Sequence, residues 1–407
     1  MYALVFSIFI SGSCISASET NTDSEVSLKD LTSEEITLRA YDDELESQFE
    51  LGFRYEKGLG VPRSPKNSAY WYRTAAKRGH REAQYRLGVY YLKAGIFFRK
   101  DGETEKSKLA FKYAVDWFRT VADRGHGEAK ARIGDMYYFG WGVETNEAKA
   151  AEWFHQSAEQ NNSMGLQRLA RAFKEGKGVD KDEQKAAKLF LKSAELGYKI
   201  AMHDIGILYY HGLGVDKDVV KSLEWLSKGC KSGFEKSCPT MVSVMEKEDV
   251  GGNEIKKVID TITDAKEKGI PSGIFALGYM YSRGVGFEKD LDAGMTLYMK
   301  AAEKEFPNAF DRFVFLYLSG HHPKKYTLRI RDLLKSRATS GNKKAYCGLG
   351  VFYTQGRYTP VDKELGYVWL NKCIDSGIVR YQDYLDRLIG RMSTKQLEKA
   401  KELALLY

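Results

Sequence analysis

Histidine, cysteine and serine supply many catalytic nucleophiles and metal ligands, but this sequence holds them in no recognised catalytic arrangement. Its 7 histidines and 5 cysteines form neither an HExxH zinc motif nor a paired Cys-x-x-Cys motif. Gly-x-Ser-x-Gly and Walker motifs do not occur either. The adjacent His321 and His322 have no further metal ligands around them. We therefore expect no catalytic residue, no metal and no cofactor, and a protein that binds a partner instead of turning over a substrate.

A short segment, Gly-x-Gly-Val, resembles a phosphate-binding loop when it is seen alone. Here it recurs at a fixed interval and follows a helical pattern instead of a strand. We expect its first glycine to end a helix in a left-handed conformation, so that the chain reverses and no nucleotide is bound. The segment begins at Gly58, Gly140, Gly176 and Gly212.

These loops belong to a repeat of 36 residues that sets the elements of the chain. Most units carry a Leu-Gly or Ile-Gly pair with a Tyr three residues after the glycine, as at Leu277, Gly278 and Tyr281. Apolar residues fall at helical spacing on both sides of the loop, which predicts two amphipathic helices per unit. The paired glycine should let these helices approach closely. His80 and His126 occupy the same last position of consecutive units, which indicates a structural role.

The order Leu-Gly-x-x-Tyr, Gly-x-Gly-Val, Asp, Trp and Ala-Ala-x-x-Gly resembles the Sel-one-like repeat (SLR) family, a subclass of tetratricopeptide-like repeats. In the unit 127–162, Gly140, Gly142, Trp153 and Ala158 stand at the family positions. The resemblance implies an all-α, right-handed superhelical α/α solenoid of about nine helix-turn-helix repeats with a C-terminal capping helix. It also implies a protein-binding scaffold or adaptor of the exported bacterial type.

The register of the repeat predicts the organisation of the whole chain. We expect a signal peptide at 1–18, an acidic flexible arm at 19–44, nine repeats over 45–378 and C-terminal capping helices at 379–407. The last of these begins with Ser393 and Gln396 as a capping box. The repeats are 45–80, 81–126 with an insertion, 127–162, 163–198, 199–234, 235–270 in degenerate form, 271–306, 307–342 and 343–378.

Three units depart from the pattern. One of them, 307–342, has His322 in place of its second loop glycine. The unit 81–126 is 10 residues longer than the repeat, and its extra residues lie around 94–111. They form either a tucked loop or a contact surface, and we favour the tucked loop because three adjacent exposed apolar residues would be costly. The unit 235–270 has Glu248 and Val250 in place of the loop glycines, so its turn must differ and a bend is expected there.

The N-terminus predicts export. Residues 2–10 are almost wholly apolar, are too short to cross a bilayer, and lead to small residues with a cleavage point after Ala17 or Ser18. No basic residue precedes Lys29, which is atypical of a signal peptide. We expect a periplasmic protein, with secretion or lipid anchoring at Cys14 less favoured, and no integral membrane segment.

The charge of the chain is unevenly distributed. Residues 19–46 carry ten acidic and two basic side chains, whereas the whole chain has a net charge of +8. A basic body could attract an acidic partner, anionic lipid or nucleic acid, but its bases are mixed with acids throughout every repeat. We interpret them as a solvated helical surface and expect no nucleic acid partner.

Four cysteines are candidates for two disulfides, of which the first is expected and the second is left open. Cys230 would close one unit's second helix and Cys238 would open the next unit's first helix, so a bond between them would staple the turn. Cys347 and Cys373 lie near the open ends of two antiparallel helices of one unit. The alternative for either pair is a set of buried thiols.

The predicted function is the binding of one or more proteins on the concave face, which first helices would line. Aromatic side chains together with arginine are typical of binding hot spots. The alternative for each such residue is packing between adjacent first helices. The candidate partner-binding residues are Phe53, Tyr85, Tyr138, Arg171, His203, Tyr210, Phe275, Tyr279 and Phe315.

Two other functions remain open. Some exported repeat proteins that resemble this family are immunity proteins, so a secreted toxin such as a lipase effector, or an envelope protein, is a candidate partner. The other alternative is a hydrolase of cell-wall or lactam substrates, for which no candidate catalytic residue is apparent.

Overall fold

The computed structural model describes residues 27–28, 30–320, 326–356 and 360–406. These residues form 21 α-helices and no strand, which confirms the predicted all-α repeat fold. They divide into two compact units after Gly125, and each unit is a stack of helix pairs. A short 3-10 helix, Val379–Tyr381, precedes the helix that begins at Gln382. The helices are α1 Ser33–Tyr41, α2 Leu45–Lys57, α3 Pro65–Lys77, α4 Arg81–Lys100, α5 Thr104–Ala122, α6 Gly127–Phe139, α7 Glu147–Glu159, α8 Ser163–Glu175, α9 Glu183–Glu195, α10 Lys199–His211, α11 Val219–Lys231, α12 Ser237–Lys247, α13 Gly252–Glu267, α14 Pro271–Arg283, α15 Leu291–Glu303, α16 Ala309–Leu318, α17 Thr327–Thr339, α18 Lys343–Gln355, α19 Lys363–Asp375, α20 Gln382–Ile389 and α21 Thr394–Ala404.

Capping residues set the limits of each helix pair. In α8 the Asn162 side chain accepts a hydrogen bond from the backbone of Gly165 at 3.0 Å, and the helix ends at Gly176, whose φ is 68°. The second helix, α9, begins after Asp182, which accepts from the backbone of Lys185 at 2.9 Å. The glycine loop therefore ends a helix, as predicted. His80 likewise caps α4 by accepting from Ala83, which confirms its structural role.

The glycine of the Leu-Gly pair brings the two helices of a unit together. A Cβ atom on Gly134 would lie 2.3 Å from Cε1 of Phe154, a buried ring on the second helix. Every larger residue would therefore push the helices apart. The expected packing role of this glycine is confirmed.

The N-terminal segment forms part of the stack. Residues 33–41 form α1, and its Ile36 is completely buried, with Leu28 and Leu31 packed against the same small cluster. The Arg54 guanidinium donates to the carbonyl oxygens of Leu28 and Leu31 at 3.0 and 2.8 Å. The expectation of a flexible arm through residue 44 is therefore wrong for these residues, because apolar side chains at helical spacing cover the end of the stack.

The insertion in the unit 81–126 is also helical. It lengthens α4 to 20 residues and α5 to 19, and the chain reverses at Gly102, whose φ is 78°. Gly95 packs against the Phe111 ring, and the Ser107 hydroxyl donates to the Gly95 carbonyl at 2.9 Å. The expectation of a tucked loop is wrong, because the inserted residues continue the helical pattern of small and apolar residues in both helices of the hairpin.

The degenerate unit 235–270 keeps its helix pair but packs it differently. α12 ends at Glu248 in an extended conformation, without the left-handed glycine of the other units. α12 packs mainly against α11 and α14 and only slightly against its own partner α13. A disulfide joins Cys230 to Cys238 with the sulfur atoms 2.12 Å apart, so α12 is tied covalently to α11.

The C-terminal end is closed by α20 and α21. Ser393 and Gln396 form the predicted capping box, and Leu385, Leu388 and Ala400 are buried against α19. A second disulfide, Cys347–Cys373, joins α18 to α19. The predicted signal peptide, 1–18, lies outside the described residues. Within the described ranges, no helix combines the length and the apolar character that crossing a membrane requires.

Candidate functional site

All nine predicted partner-binding residues lie on first helices, the leading helix of each pair. In the unit before residue 126, Phe53 is half-buried, with the Arg86 guanidinium 5.5 Å from its ring centroid. Tyr85 is buried, and its ring lies 5.8 Å from that of Phe118. Tyr85 therefore belongs to the core and is not available to a partner.

Tyr138 and Arg171 lie together on α6 and α8. The Tyr138 hydroxyl donates to Glu175 at 3.1 Å and accepts from the Lys177 ammonium at 2.7 Å. The Arg171 guanidinium lies 5.7 Å from the ring centroid and donates to Glu175 at 3.1 Å. The ring is thus held by cation–π and hydrogen-bond contacts on a half-buried surface.

A chain of polar side chains crosses the first helices α6, α8 and α10. The Arg168 guanidinium donates to Asp135 at 2.6 Å and to Gln167 at 2.6 Å. Gln167 in turn donates to Asp204 at 2.7 Å. Burial raises the pKa of the Asp204 carboxyl above its usual range. These groups bond to one another, so this stretch fixes the spacing of the helices and leaves few polar atoms for a partner.

Tyr210 and Tyr279 lie on the first helices on either side of the degenerate unit. The Lys217 ammonium is 5.8 Å from the Tyr210 ring centroid and donates to Glu248 at 3.2 Å. Glu248 follows the last residue of α12.

On the other side of α12, the Tyr279 hydroxyl donates to Glu246 at 2.8 Å, and Arg283 pairs with the same carboxylate at 3.8 Å. Burial and the bond to Glu246 raise the pKa of Tyr279, so the hydroxyl keeps its proton. Both tyrosines are therefore linked to the end of α12. We call these residues the Tyr210–Tyr279 surface: Tyr210, Lys217, Glu246, Glu248, Tyr279 and Arg283.

Two further predicted residues pack between helices. The His203 ring lies 5.2 Å from that of Phe234, and burial lowers its pKa to about 4. The Phe275 ring lies 5.2 Å from Tyr298 and 5.0 Å from Phe306. Both side chains are half-buried and already have neighbours, so they support the surface without forming its exposed part.

Within residues 126–406, Phe315 and Phe139 are exposed aromatic residues of first helices. Phe315, a predicted residue, is 63% exposed. Phe139 was not among the predicted residues, yet it is 43% exposed and stacks on Trp141 at 4.5 Å. The signal that could have found it is its place directly before the helix-ending Gly140, where a side chain leaves the packed layer.

Lys217 and Glu246 lie in or beside turns and gave no signal in the repeat pattern.

A groove of about 560 Å³ lies between the second helices α11 and α13. Leu223, Met241 and Val258 line its apolar part, and both acidic and basic side chains line the rest. Because side chains of both charges line the groove, its charge does not favour a cationic or an anionic ligand. Nor do the described ranges hold a group of three or more His, Cys, Asp or Glu side chains that could bind a metal.

Several solved structures are similar to this chain. A protective antigen of uropathogenic Escherichia coli with an SLR fold is 22% identical, with 92% of this chain and 94% of that chain covered and a TM-score of 0.37. A Sel1 repeat protein from Oxalobacter formigenes is 22% identical over 58% of this chain and 100% of its own, with a TM-score of 0.46. An immunity protein from Pseudomonas aeruginosa is 18% identical over 57% of this chain and 87% of its own, with a TM-score of 0.38.

None of the curated proteins matches the chain. The model of the Sel1 repeat matches seven segments that together make up more than half of the sequence. The units 235–270 and 307–342, which depart from the pattern, are not among them. The matched segments are 45–80, 81–126, 127–162, 163–198, 199–234, 271–306 and 343–377. The chain therefore belongs to the Sel1 repeat family.

Proposed function

We propose that this chain is a non-catalytic scaffold that binds a partner protein through the Tyr210–Tyr279 surface, outside the cytoplasmic membrane. The observation that carries the proposal is the pair of half-buried tyrosines on either side of α12, each next to charged groups. Tyrosine and arginine are over-represented among residues that dominate protein binding.

The hydrogen bonds within the surface favour binding. Tyr279 is oriented by Glu246, and Glu248 holds the lysine beside Tyr210. Side chains fixed in one conformation lose less entropy when a partner binds. The exposed Phe315 on α16 extends the apolar area of the same helix layer. Tyr138 and Arg171 offer a second aromatic and cationic group, on α6 and α8.

Action outside the cytoplasm is supported by the two disulfides. Disulfide bonds persist in oxidising compartments such as the periplasm and are rare in the cytosol. Both pairs, Cys230–Cys238 and Cys347–Cys373, are bonded. The predicted signal peptide at 1–18 agrees with this location.

The test is affinity capture from a periplasmic extract, followed by mass spectrometry. We expect the full chain to capture a protein that the double variant Tyr210→Ala, Tyr279→Ala no longer retains. The matched control removes two exposed tyrosines elsewhere, Tyr41→Ala with Tyr70→Ala, and should retain it. Capture that is unchanged in the first variant would contradict the proposed surface.

The captured protein also separates the alternatives. An immunity protein would capture a toxic enzyme and abolish its activity at a one-to-one ratio. A scaffold would capture a protein whose own activity persists in the complex. A hydrolase would turn over a cell-wall or lactam substrate without any partner, and that activity would exclude the proposal.

A further inference from the structure

The hairpin of α4 and α5 is longer than the preceding helix pair in its unit. α4 has 20 residues and α5 has 19, whereas α2 and α3 have 13 each. At a rise of 1.5 Å per residue, the additional turns lengthen each helix by roughly 10 Å. We call residues 93–113 the hairpin extension.

The hairpin extension exposes large apolar side chains. Phe97 is 61% exposed, Leu109 is 51% exposed and Tyr113 is 43% exposed. The inward side of the extension is filled by Phe111 against Gly95, so these three side chains are not needed for its core. Exposed apolar side chains that the core does not need can mark an interaction site, and Phe97 is the most exposed of the three.

The hairpin extension is also basic. It contains six basic and three acidic side chains. Two of the acids, Glu103 and Glu105, pair with the lysines at 106 and 108. Lys93 and Lys100 are exposed and form no ion pair with any described residue. The local excess of positive charge is therefore available to a partner.

Lys93, Phe97 and Lys100 form one row on α4. Residues separated by four and then three positions lie on the same side of a helix. An exposed aromatic side chain thus stands between two unpaired cations, one helical turn away on each side. This row lies in the unit before residue 126 and shares no residue with the Tyr210–Tyr279 surface.

We propose that this row binds an acidic amphipathic helix of a partner protein. Apolar residues of such a helix would cover Phe97, and carboxylates one turn before and after them would meet Lys93 and Lys100. Charge complementarity across an interface selects the partner and orients it. A helix fits because it presents its side chains with the same rise per residue as α4 does.

The test measures the binding of a fluorescent synthetic helix to the full chain. The probe has Leu at every third or fourth position and Glu at most others, and binding is followed by fluorescence anisotropy. We expect the triple variant Lys93→Glu, Phe97→Ala, Lys100→Glu to weaken binding by about tenfold or more, with the loss of affinity growing at low salt.

A matched control carries the same change of charge elsewhere. Lys188, Lys192 and Leu196 are exposed on or beside α9, and Leu196 is 51% exposed. The variant Lys188→Glu, Lys192→Glu, Leu196→Ala should keep the affinity for the probe within about twofold. Salt screens the two reversed charges on α9 from a probe that is bound at α4. Circular dichroism of both variants verifies that the helices are intact.

Three results would overturn the proposal. In the first, both triple variants lose affinity equally, which would mean that net charge alone attracts the probe. In the second, the unchanged chain does not bind the probe at all. In the third, the row binds vesicles of phosphatidylglycerol and phosphatidylcholine but not the acidic helix, which would assign it to a lipid surface.

Discussion

At the scale of single residues, His203 shows how packing can cover a side chain. Its position in the repeat predicted that it would lie on the partner-binding surface. It lies on the first helix α10, but its ring packs against Phe234 and contacts the Ser237 hydroxyl at 3.3 Å. Burial opposes the charged imidazolium and lowers its pKa to about 4. Lys236, a nearby positive charge, acts in the same direction.

We expect His203 to destabilise the chain in acid. Its folded-state pKa of about 4 is below the usual value of 6.5, so the unfolded chain binds the proton more readily. The stabilisation is complete above pH 6.5 and is lost as the pH falls through 6.5 towards 4, by on the order of 2–3 kcal/mol. Melting temperatures measured from pH 7 to pH 4 should fall less for His203→Gln than for the unchanged chain. An NMR titration of His203 with a midpoint near its ordinary pKa would contradict this.

Gly134 tests the close approach of paired helices. A methyl group there would overlap the Phe154 ring, so Gly134→Ala should destabilise the unit by about 2–3 kcal/mol. Gly252 is a suitable control, because nothing lies within 4 Å of a Cβ built there. Gly252→Ala should change stability by less than about 0.5 kcal/mol, in the stabilising direction. Urea unfolding of both variants gives the comparison, and equal midpoints would refute the packing role.

The residues that sequence reasoning placed on the surface behave in two ways. Phe315 is exposed, and the half-buried Tyr279 keeps part of its surface open to solvent. Tyr85, in contrast, is in the core, and Phe275 packs on Phe306. The repeat pattern gives the side of the helix on which a residue lies. It does not give the distance to the next helix or the size of the neighbouring side chain, and these decide whether an aromatic ring is covered.

At the scale of elements, α1 acts as the cap of the stack. Its Ile36 is completely buried, whereas Leu38 on the same helix is 66% exposed. Ile36→Asp should therefore cost more than about 3 kcal/mol, since it buries an unpaired charge. Leu38→Asp should cost less than about 0.5 kcal/mol, because the change is at the surface. Thermal unfolding compares the two, and similar losses would show that α1 does not pack as described.

The Cys230–Cys238 disulfide should stabilise the degenerate unit locally. α12 packs on α11 and α14 and only slightly on α13, and the covalent bond to α11 adds to this packing. We expect Cys230→Ala with Cys238→Ala to cost roughly 2–3 kcal/mol. Hydrogen exchange should then increase in residues 237–267.

The second disulfide provides the control. Cys347→Ala with Cys373→Ala should raise exchange in α18 and α19 and leave residues 237–267 protected. Exchange in α12 that does not change when its own bond is removed would mean that noncovalent packing alone holds that helix.

The elements that sequence reasoning missed have a common physical cause. The insertion was expected to be a tucked loop, and the segment that holds α1 was expected to be a flexible acidic arm. Both form helices, since their small and apolar residues keep helical spacing and find a surface to cover, as Ile36 and Phe111 do. A repeat pattern describes the units that resemble one another, and says less about segments that pack against them at an end or an insertion.

At the scale of the whole molecule, the helix pairs within each compact unit pack on their neighbours in sequence, so we expect stability to be local. Leu388 in α20 is buried against α19. Leu388→Asp should increase hydrogen exchange strongly in residues 363–404, less in 343–355, and not measurably in 127–162. A uniform increase across residues 126–406 would show instead that these repeats unfold as one cooperative block.

The family and the helix pairs follow from the period of the sequence, because Gly134 and its equivalents have one geometric role in the units that carry them. The Tyr210–Tyr279 surface can be predicted from the period of the sequence only in part. Its two tyrosines could be chosen from their register, but Glu246 and Glu248 reach them because α12 ends without a glycine, in a unit that departs from the repeat. The site thus depends on the irregular unit, whose packing no repeat pattern describes.

The matched lengthening of α4 and α5 has a practical consequence for protein engineering. The extra residues lengthen both helices by additional turns, and a three-residue turn around Gly102 joins the two helices. The end of this hairpin is therefore a permissive position at which further heptads, a binding peptide or a reporter domain could be grafted. An arm of adjustable length would then project from a repeat protein whose remaining units need no redesign.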